Sequence, residues 1–122
     1  MAFYTQFGFR PVRTFDSPDG AFAIRHLQLG AAILEIFCFR NSEPAPDTSL
    51  ELATDLPRRG AKHLGLQVSD IKEAREFVLD RGIADVVEIV RGKTGVEYFF
   101  IKDPDGILME ILQDDLLRQN ID

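Results

Sequence analysis

Apolar and polar residues alternate along several stretches of the chain, which predicts short strands separated by turns. In the first third, the pattern predicts a short helix over residues 2–7 that ends at Gly8. Two strands then follow, over residues 22–29 and 31–39, and form a hairpin. Residues 40–60 hold three prolines among mixed polar residues and are interpreted as a linker.

The second half of the chain carries sharper signals. A strand is predicted over residues 62–68, and Asp70 with Glu73 three positions later predicts the capped start of a helix. The apolar stripe of this helix ends at Gly82. Three further strands are predicted over residues 86–90, 96–101 and 107–112. The second half therefore has the predicted order β-α-β-β-β.

The two halves repeat one another at a nearly constant spacing. Adding 74 to five positions of the first half gives chemically matched residues in the second: Phe3, Gly8, Phe9, Val12 and Phe15 become Phe77, Gly82, Ile83, Val86 and Ile89. Adding 75 to residues 33–36 (Ile-Leu-Glu-Ile) gives residues 108–111 (Leu-Met-Glu-Ile). We infer an internal duplication in which Glu35 and Glu110 occupy equivalent positions.

The duplication leaves one strand without a counterpart. The strand that carries His63 would match a position before Met1, because 63 − 74 is −11. The first module is therefore expected to lack its first strand, either because the start is truncated or because another element fills that place. A strand edge left open in this way recruits partners.

Composition and charge narrow the possible partners. The chain has 122 residues, enough for one domain or two half-sized modules, and a formal net charge of −6. This acidity argues against binding to nucleic acid or to an anionic membrane surface. No apolar run is long enough to span a membrane, the N-terminus lacks signal-peptide features, and Cys38 is the only cysteine. A cytoplasmic location is expected.

Three side chains are candidates for chemistry. Glu35 and Glu110 lie on strand faces that are otherwise apolar, where an unpaired carboxylate is costly. His63 shares a strand face with Gly65 and Gln67. Two carboxylates and one imidazole form a ligand set suited to Zn, Ni, Mn, Co or Fe, and ligand type alone does not choose among them.

Structural interpretations of the same residues remain open. His63 is also compatible with a hydrogen-bonded structural histidine, and either glutamate could face solvent on a half-exposed sheet. His26 is interpreted as a surface or rim residue, and Cys38 as a small packed hydrophobe. The chain shows no Ser/His/Asp, phosphate-loop or CxxC signature.

Three stretches resemble the vicinal-oxygen-chelate superfamily, which comprises glyoxalases, bleomycin-resistance proteins and extradiol dioxygenases. They are residues 2–9 (AFYTQFGF), 62–70 (KHLGLQVSD) and 101–111 (IKDPDGILMEI). The resemblance implies an α+β fold of paired βαβββ modules that form a cup-shaped mixed sheet. Residues 1–122 would then be a single domain, with an incomplete first module (1–40) that lacks its first strand, a linker (41–60) and a second module (61–122).

The resemblance also implies a metal site and a reaction. Ligands in the family typically come from the first and fourth strands of each module, and the matching positions here are Glu35, His63 and Glu110. A glutamate at position 35 is more like glyoxalase I than like other members. The implied activity is that of a divalent-metal-dependent lyase or isomerase, with Zn or Ni, that acts on a small oxygen-rich substrate through an enediolate. Glu110 would be ligand and base, Glu35 its counterpart, and His63 a fixing ligand.

Two further expectations follow from the resemblance. The alternative function is that of a metal-free binding protein of the bleomycin-resistance type, which would sequester a small molecule in a cup lined by Phe37, Phe39, Tyr98 and Phe100. A homodimer is expected in either case, because cups in this family are commonly built at two-fold interfaces and the missing strand leaves an edge to cover.

Overall fold

The computed structural model describes residues 1–115, and the chain forms two compact units, Met1–Pro44 and Ala45–Asp122. Each unit combines a small sheet with at least one helix, which confirms the predicted α+β class. The predicted second module runs to Asp122, and its residues 116–122 lie outside the described part of the chain.

The first unit has one short helix and one antiparallel sheet. Its elements are α1 (Ala2–Thr5), β1 (Arg10–Asp16), β2 (Phe22–Leu29) and β3 (Ala32–Phe39). The strands lie in the order β1-β2-β3. The predicted hairpin is confirmed, and Gly30 in its turn adopts a φ of +57°, a conformation that favours glycine. The helix is shorter than predicted and ends at Thr5, because the Gly8 amide closes a tight turn on the Thr5 carbonyl.

The second unit follows the order β-α-β-β-β, as predicted. After a 3₁₀ helix (Asp47–Ser49) and α2 (Leu52–Asp55), its elements are β4 (Leu64–Gln67), α3 (Ile71–Asp80), β5 (Val90–Arg91), β6 (Glu97–Lys102) and β7 (Leu108–Gln113). The strand order is β4-β7-β6-β5, with β4 parallel to β7 and the other pairs antiparallel. Helix α3 contacts β7 and buries Ile71 and Val78. The sheet buries Phe99, Met109 and Ile111.

Helix α3 begins at the residue that the sequence predicts. One side-chain oxygen of Asp70 accepts hydrogen bonds from the amides of Lys72 and Glu73, at 2.8 and 3.1 Å. These bonds satisfy two of the amides that the first turn of a helix leaves without partners. At the other end, Gly82 adopts a φ of +63° and its amide bonds to the Leu79 carbonyl.

The predicted strand over residues 86–90 is wrong for most of its length. Regular pairing is confined to Val90–Arg91, which lies opposite Tyr98 and Glu97. The Val87 carbonyl accepts a hydrogen bond from Arg75 Nε at 2.9 Å. A side chain of α3 therefore supplies a hydrogen bond that a neighbouring strand was expected to supply. The strands predicted over residues 22–29, 31–39, 62–68, 96–101 and 107–112 match the observed ones to within two residues, whereas strand β1 (Arg10–Asp16) was not predicted.

The turn between β6 and β7 is held by the side chain of its first residue. Asp103 Oδ1 accepts hydrogen bonds from the amides of Asp105 and Ile107, each at 2.9 Å. Asp103 is only 7% exposed, and Gly106 takes a φ of +81°. The turn fixes the register of the two strands and therefore places Glu110 opposite Phe100.

No helix within residues 1–115 is long and apolar enough to cross a membrane.

Candidate functional site

Glu110 lies in the middle of β7, between strands on both sides. It is directly opposite Gly65 on β4 and Phe100 on β6. Its side chain is 23% exposed. A Cβ atom at position 65 would lie 3.9 Å from Glu110 Oε2 and 3.3 Å from Leu112 Cδ2. The glycine therefore keeps the space beside the carboxylate open.

His63 immediately precedes β4 and faces this carboxylate. His63 Nε2 lies 3.1 Å from Glu110 Oε2, and the imidazole side chain is 19% exposed. The edge of the imidazole meets the Phe100 ring at 89° with 4.8 Å between centroids, which fixes the plane of the imidazole. His63 Nδ1 is buried and has no hydrogen-bond partner in the described residues.

The separation of these two atoms is that of an ordinary hydrogen bond, and it is also compatible with a shared metal ion. Ligand atoms of a tetrahedral zinc ion lie about 2.0–2.2 Å from the metal, so two of them are about 3.3 Å from one another. The observed 3.1 Å between His63 Nε2 and Glu110 Oε2 is close to that value. An imidazole nitrogen with a carboxylate oxygen is also a donor set that Zn, Ni, Mn, Co and Fe accept. The pair therefore fits as two ligands of a divalent metal.

Glu35 has a different partner, in the first unit. It lies on β3 directly opposite His26 on β2, and His26 Nε2 is 2.5 Å from Glu35 Oε2. Glu35 is 47% exposed at its side chain, twice the fraction of Glu110. A separation of 2.5 Å is too short for two ligands of one ion, so His26 and Glu35 are seen here as a hydrogen-bonded pair.

The structure thus brings two of the three predicted ligands, His63 and Glu110, into contact. The third, Glu35, is paired with His26, which was not predicted to be a ligand. Within either unit, residues 1–115 contain no group of three or more His, Cys, Asp or Glu side chains that could hold a metal ion. The hairpin register could have revealed the pair of His26 and Glu35. Counting back from the turn at Gly30 places these residues opposite one another.

A cavity of about 390 Å³ opens onto the pair of His63 and Glu110 in the second unit. Its apolar wall is formed by Leu52, Leu56, Val96, Phe100 and Leu112. Tyr98, Lys93 and Thr94 add polar groups to the lining. The volume lies within the usual range for small-molecule sites, about 300–1,000 Å³. A histidine–carboxylate pair in such a cavity can bind a metal and move protons on a small substrate.

The four aromatic residues predicted to line a cup fall into two groups. Tyr98 and Phe100 line the cavity of the second unit, with their rings 5.7 Å apart. Phe37 and Phe39 lie on the face of the first sheet that carries Glu35, and both are half-exposed. Their rings are stacked at 6.4 Å.

The family of the chain follows from comparison with known proteins. Residues 1–111 match the model of the Glyoxalase/Bleomycin resistance protein/Dioxygenase superfamily. The chain belongs to this superfamily, as its sequence resemblance had indicated. Members commonly use divalent metals, bind small molecules and often form dimers. No curated protein sequence matches the chain.

Solved structures agree with this assignment. A glyoxalase family protein from Enterococcus faecalis is 27% identical, with a TM-score of 0.70 over 90% of this chain and 82% of that one. Lactoylglutathione lyase from Agrobacterium tumefaciens is 24% identical, with a TM-score of 0.59 over 94% and 83% of the two chains. Glyoxalase I from Zea mays is 23% identical, with a TM-score of 0.64 over 92% of this chain and 38% of the other. The last two show the shared fold.

Proposed function

We propose that the protein is a divalent-metal-dependent lyase or isomerase that acts on a small oxygen-rich substrate. The observation that carries the proposal is the contact between His63 Nε2 and Glu110 Oε2, 3.1 Å apart at a cavity. Within the described residues, Glu110 is the hydrogen-bond partner of the His63 ring, since its buried Nδ1 has none.

The proposed ligands are Glu35, His63 and Glu110, with Zn or Ni as the preferred metal and Mn, Co or Fe as alternatives. When bound, the metal supplies Lewis-acid stabilisation of negative charge on adjacent substrate oxygens. His63 fixes the position of the Glu110 carboxylate, and Phe100 in turn fixes the imidazole. Glu110 moves the proton next to the substrate carbonyl, by way of an enediolate of the substrate, and Glu35 is its counterpart.

Metal analysis of protein purified without chelator tests this proposal. We expect a divalent metal in the wild type and its loss in Glu110→Gln and His63→Ala. Glu88→Gln is the matched control, because this substitution removes the same charge from an exposed residue outside the cavity. Deuterium exchange next to the carbonyl of hydroxyacetone in D₂O, followed by NMR, reports the proton transfer. Full metal content and full exchange in Glu110→Gln would refute the assigned roles.

The alternative is a metal-free binding protein of the bleomycin-resistance type. It is favoured by the absence, within either unit over residues 1–115, of a group of three metal-binding side chains. The apolar wall of the cavity suits retention of a ligand as well as its conversion. Protein that contains none of the five metals and still binds small molecules in this cavity would support the alternative.

We also propose a homodimer formed through the open edge of β3. The equivalent strand β7 has neighbours on both sides, β4 and β6, whereas β3 pairs only with β2 in the described residues. The other edge of that sheet, β1, is protected by Pro11, two arginines and a register shift. Such features discourage strand pairing, and β3 has no proline, no arginine and no register shift. Edge β3 is therefore the one suited to a partner.

Sedimentation at micromolar concentration tests the dimer. Ile33→Lys places a charge on the β3 edge and is expected to shift the protein to monomer, whereas Val12→Lys on β1 is the control. Both side chains are half-exposed in the structure, so neither change disrupts a core. A wild-type monomer, or equal effects of the two variants, would contradict the proposed interface. A cytoplasmic location is also proposed. Cys38, interpreted from the sequence as a packed hydrophobe, is instead exposed as a free thiol, which a reducing compartment would keep reduced.

A further inference from the structure

The cavity beside His63 and Glu110 has a single side chain of fixed positive charge, Lys93. The only other charged group in its lining is the Glu110 carboxylate, which already faces the imidazole. In residues 1–115, Lys93 makes no ion pair. A cation that the protein leaves without a partner at a cavity is available to a ligand.

The loop that carries Lys93 is held in place by its flanking glycines. Gly92 donates its amide to the Val96 carbonyl at 2.8 Å, and Gly95 donates to the Gly92 carbonyl at 3.0 Å. A Cβ atom on Gly92 would lie only 2.9 Å from Tyr98 Cε1. Because residue 92 is glycine, the backbone of the loop can lie directly against the Tyr98 ring, and both line the cavity.

The remaining lining is chemically divided. Leu52, Leu56 and Leu112 provide aliphatic surface and Phe100 an aromatic one. An apolar group of a ligand would bury this aliphatic and aromatic surface away from water, which is favourable. A purely polar ligand would gain no such stabilisation from it. The lining therefore suits a molecule with an apolar body and one negatively charged end.

We propose that the oxygen-rich substrate of this cavity also carries one carboxylate and an apolar group, with the carboxylate paired to Lys93 and the apolar group against the leucines of the lining. The inference rests on the proposed function, in which this cavity holds the substrate. One ammonium group matches one negative charge, and the Glu110 carboxylate in the same lining disfavours a second negative charge on the ligand. Lys93 is thus a specificity-determining residue, while His63 and Glu110 perform the chemistry.

Binding of 4-phenylbutanoate and of its neutral analogue 4-phenylbutanamide tests the proposal. The two probes share an apolar body and differ in the charge of one end. Titrations are followed by the amide NMR signals of Gly92 and Gly95, which flank Lys93. We expect the wild type to prefer the carboxylate, and Lys93→Met to weaken its binding about fivefold, as an exposed ion pair allows, without changing the affinity for the amide.

Lys72→Met is the matched control, because it makes the same change in net charge on the exposed surface of α3. Equal affinity of the wild type for the two probes, equal effects of the two lysine variants, or no binding of either probe would each overturn the proposal. Metal content and deuterium exchange are measured on the same samples. Protein that lacks both but still selects the carboxylate through Lys93 would refute the proposed reaction and leave the anion site standing.

Discussion

Replacement of Asp103 by alanine is expected to destabilise the second unit, because one carboxylate oxygen organises the turn before β7. The change removes two hydrogen bonds of 2.9 Å, from the amides of Asp105 and Ile107. Both of these residues are exposed, so water replaces part of what is lost. We therefore assign about 1 kcal/mol to each bond, which gives about 2 kcal/mol in the free energy of unfolding.

Urea and thermal unfolding followed by far-ultraviolet circular dichroism measure this change, since the chain has no tryptophan to report by fluorescence. A loss of about 2 kcal/mol corresponds to a fall of about 8 °C in the melting temperature of a chain of this size. Asp103→Asn keeps an acceptor oxygen and is expected to lose less than about 1 kcal/mol. Asp105→Ala changes an exposed carboxylate in the same turn and is the control. If Asp103→Ala and Asp105→Ala were equally stable, the reasoning would be refuted.

Three further predictions concern a helix cap, a glycine and a pH dependence. Asp70→Ala removes the cap of α3 and should cost about 1 kcal/mol in urea unfolding, with Asp70→Asn close to wild type. Gly65→Val forces a side chain against Leu112 and should cost about 1–3 kcal/mol and weaken metal binding, with a smaller effect for Gly65→Ala. The hydrogen bond from the Ala21 amide lowers the pKa of Asp19 below 3.8, so its stabilising contribution is present above that pH and is lost as the pH falls through the lowered pKa. Asp19→Asn should remove this part of the acid dependence of unfolding, and an unchanged acid profile would contradict it.

The elements that sequence predicted well depend on local chemistry. The cap at Asp70, the turn at residues 103–106 and the hairpin of β2 and β3 are each encoded within a few adjacent residues. The predicted strand over residues 86–90 failed for the opposite reason. The Val87 carbonyl of this segment accepts a hydrogen bond from the side chain of Arg75, which lies 12 positions earlier. No local sequence pattern indicates that hydrogen bond.

The candidate site was predictable in part. His63 and Glu110 were singled out from the strand pattern and the family resemblance, and they are in contact although 47 residues separate them. Their approach depends on the parallel pairing of β4 with β7, which the order of elements implies but does not fix. The pair of His26 and Glu35 was missed because each strand was considered alone, without the register of the hairpin.

The proposed pairing of β3 with a second copy would have a consequence for the behaviour of the protein at different concentrations. A sheet edge completed by another copy is stabilised by mass action, so folding and association become one equilibrium. The thermal midpoint of the wild type should then rise with the amount of protein in the cell or the cuvette. A dilute sample would therefore unfold at a lower temperature than a concentrated one, and the stability of this chain would depend on its own concentration.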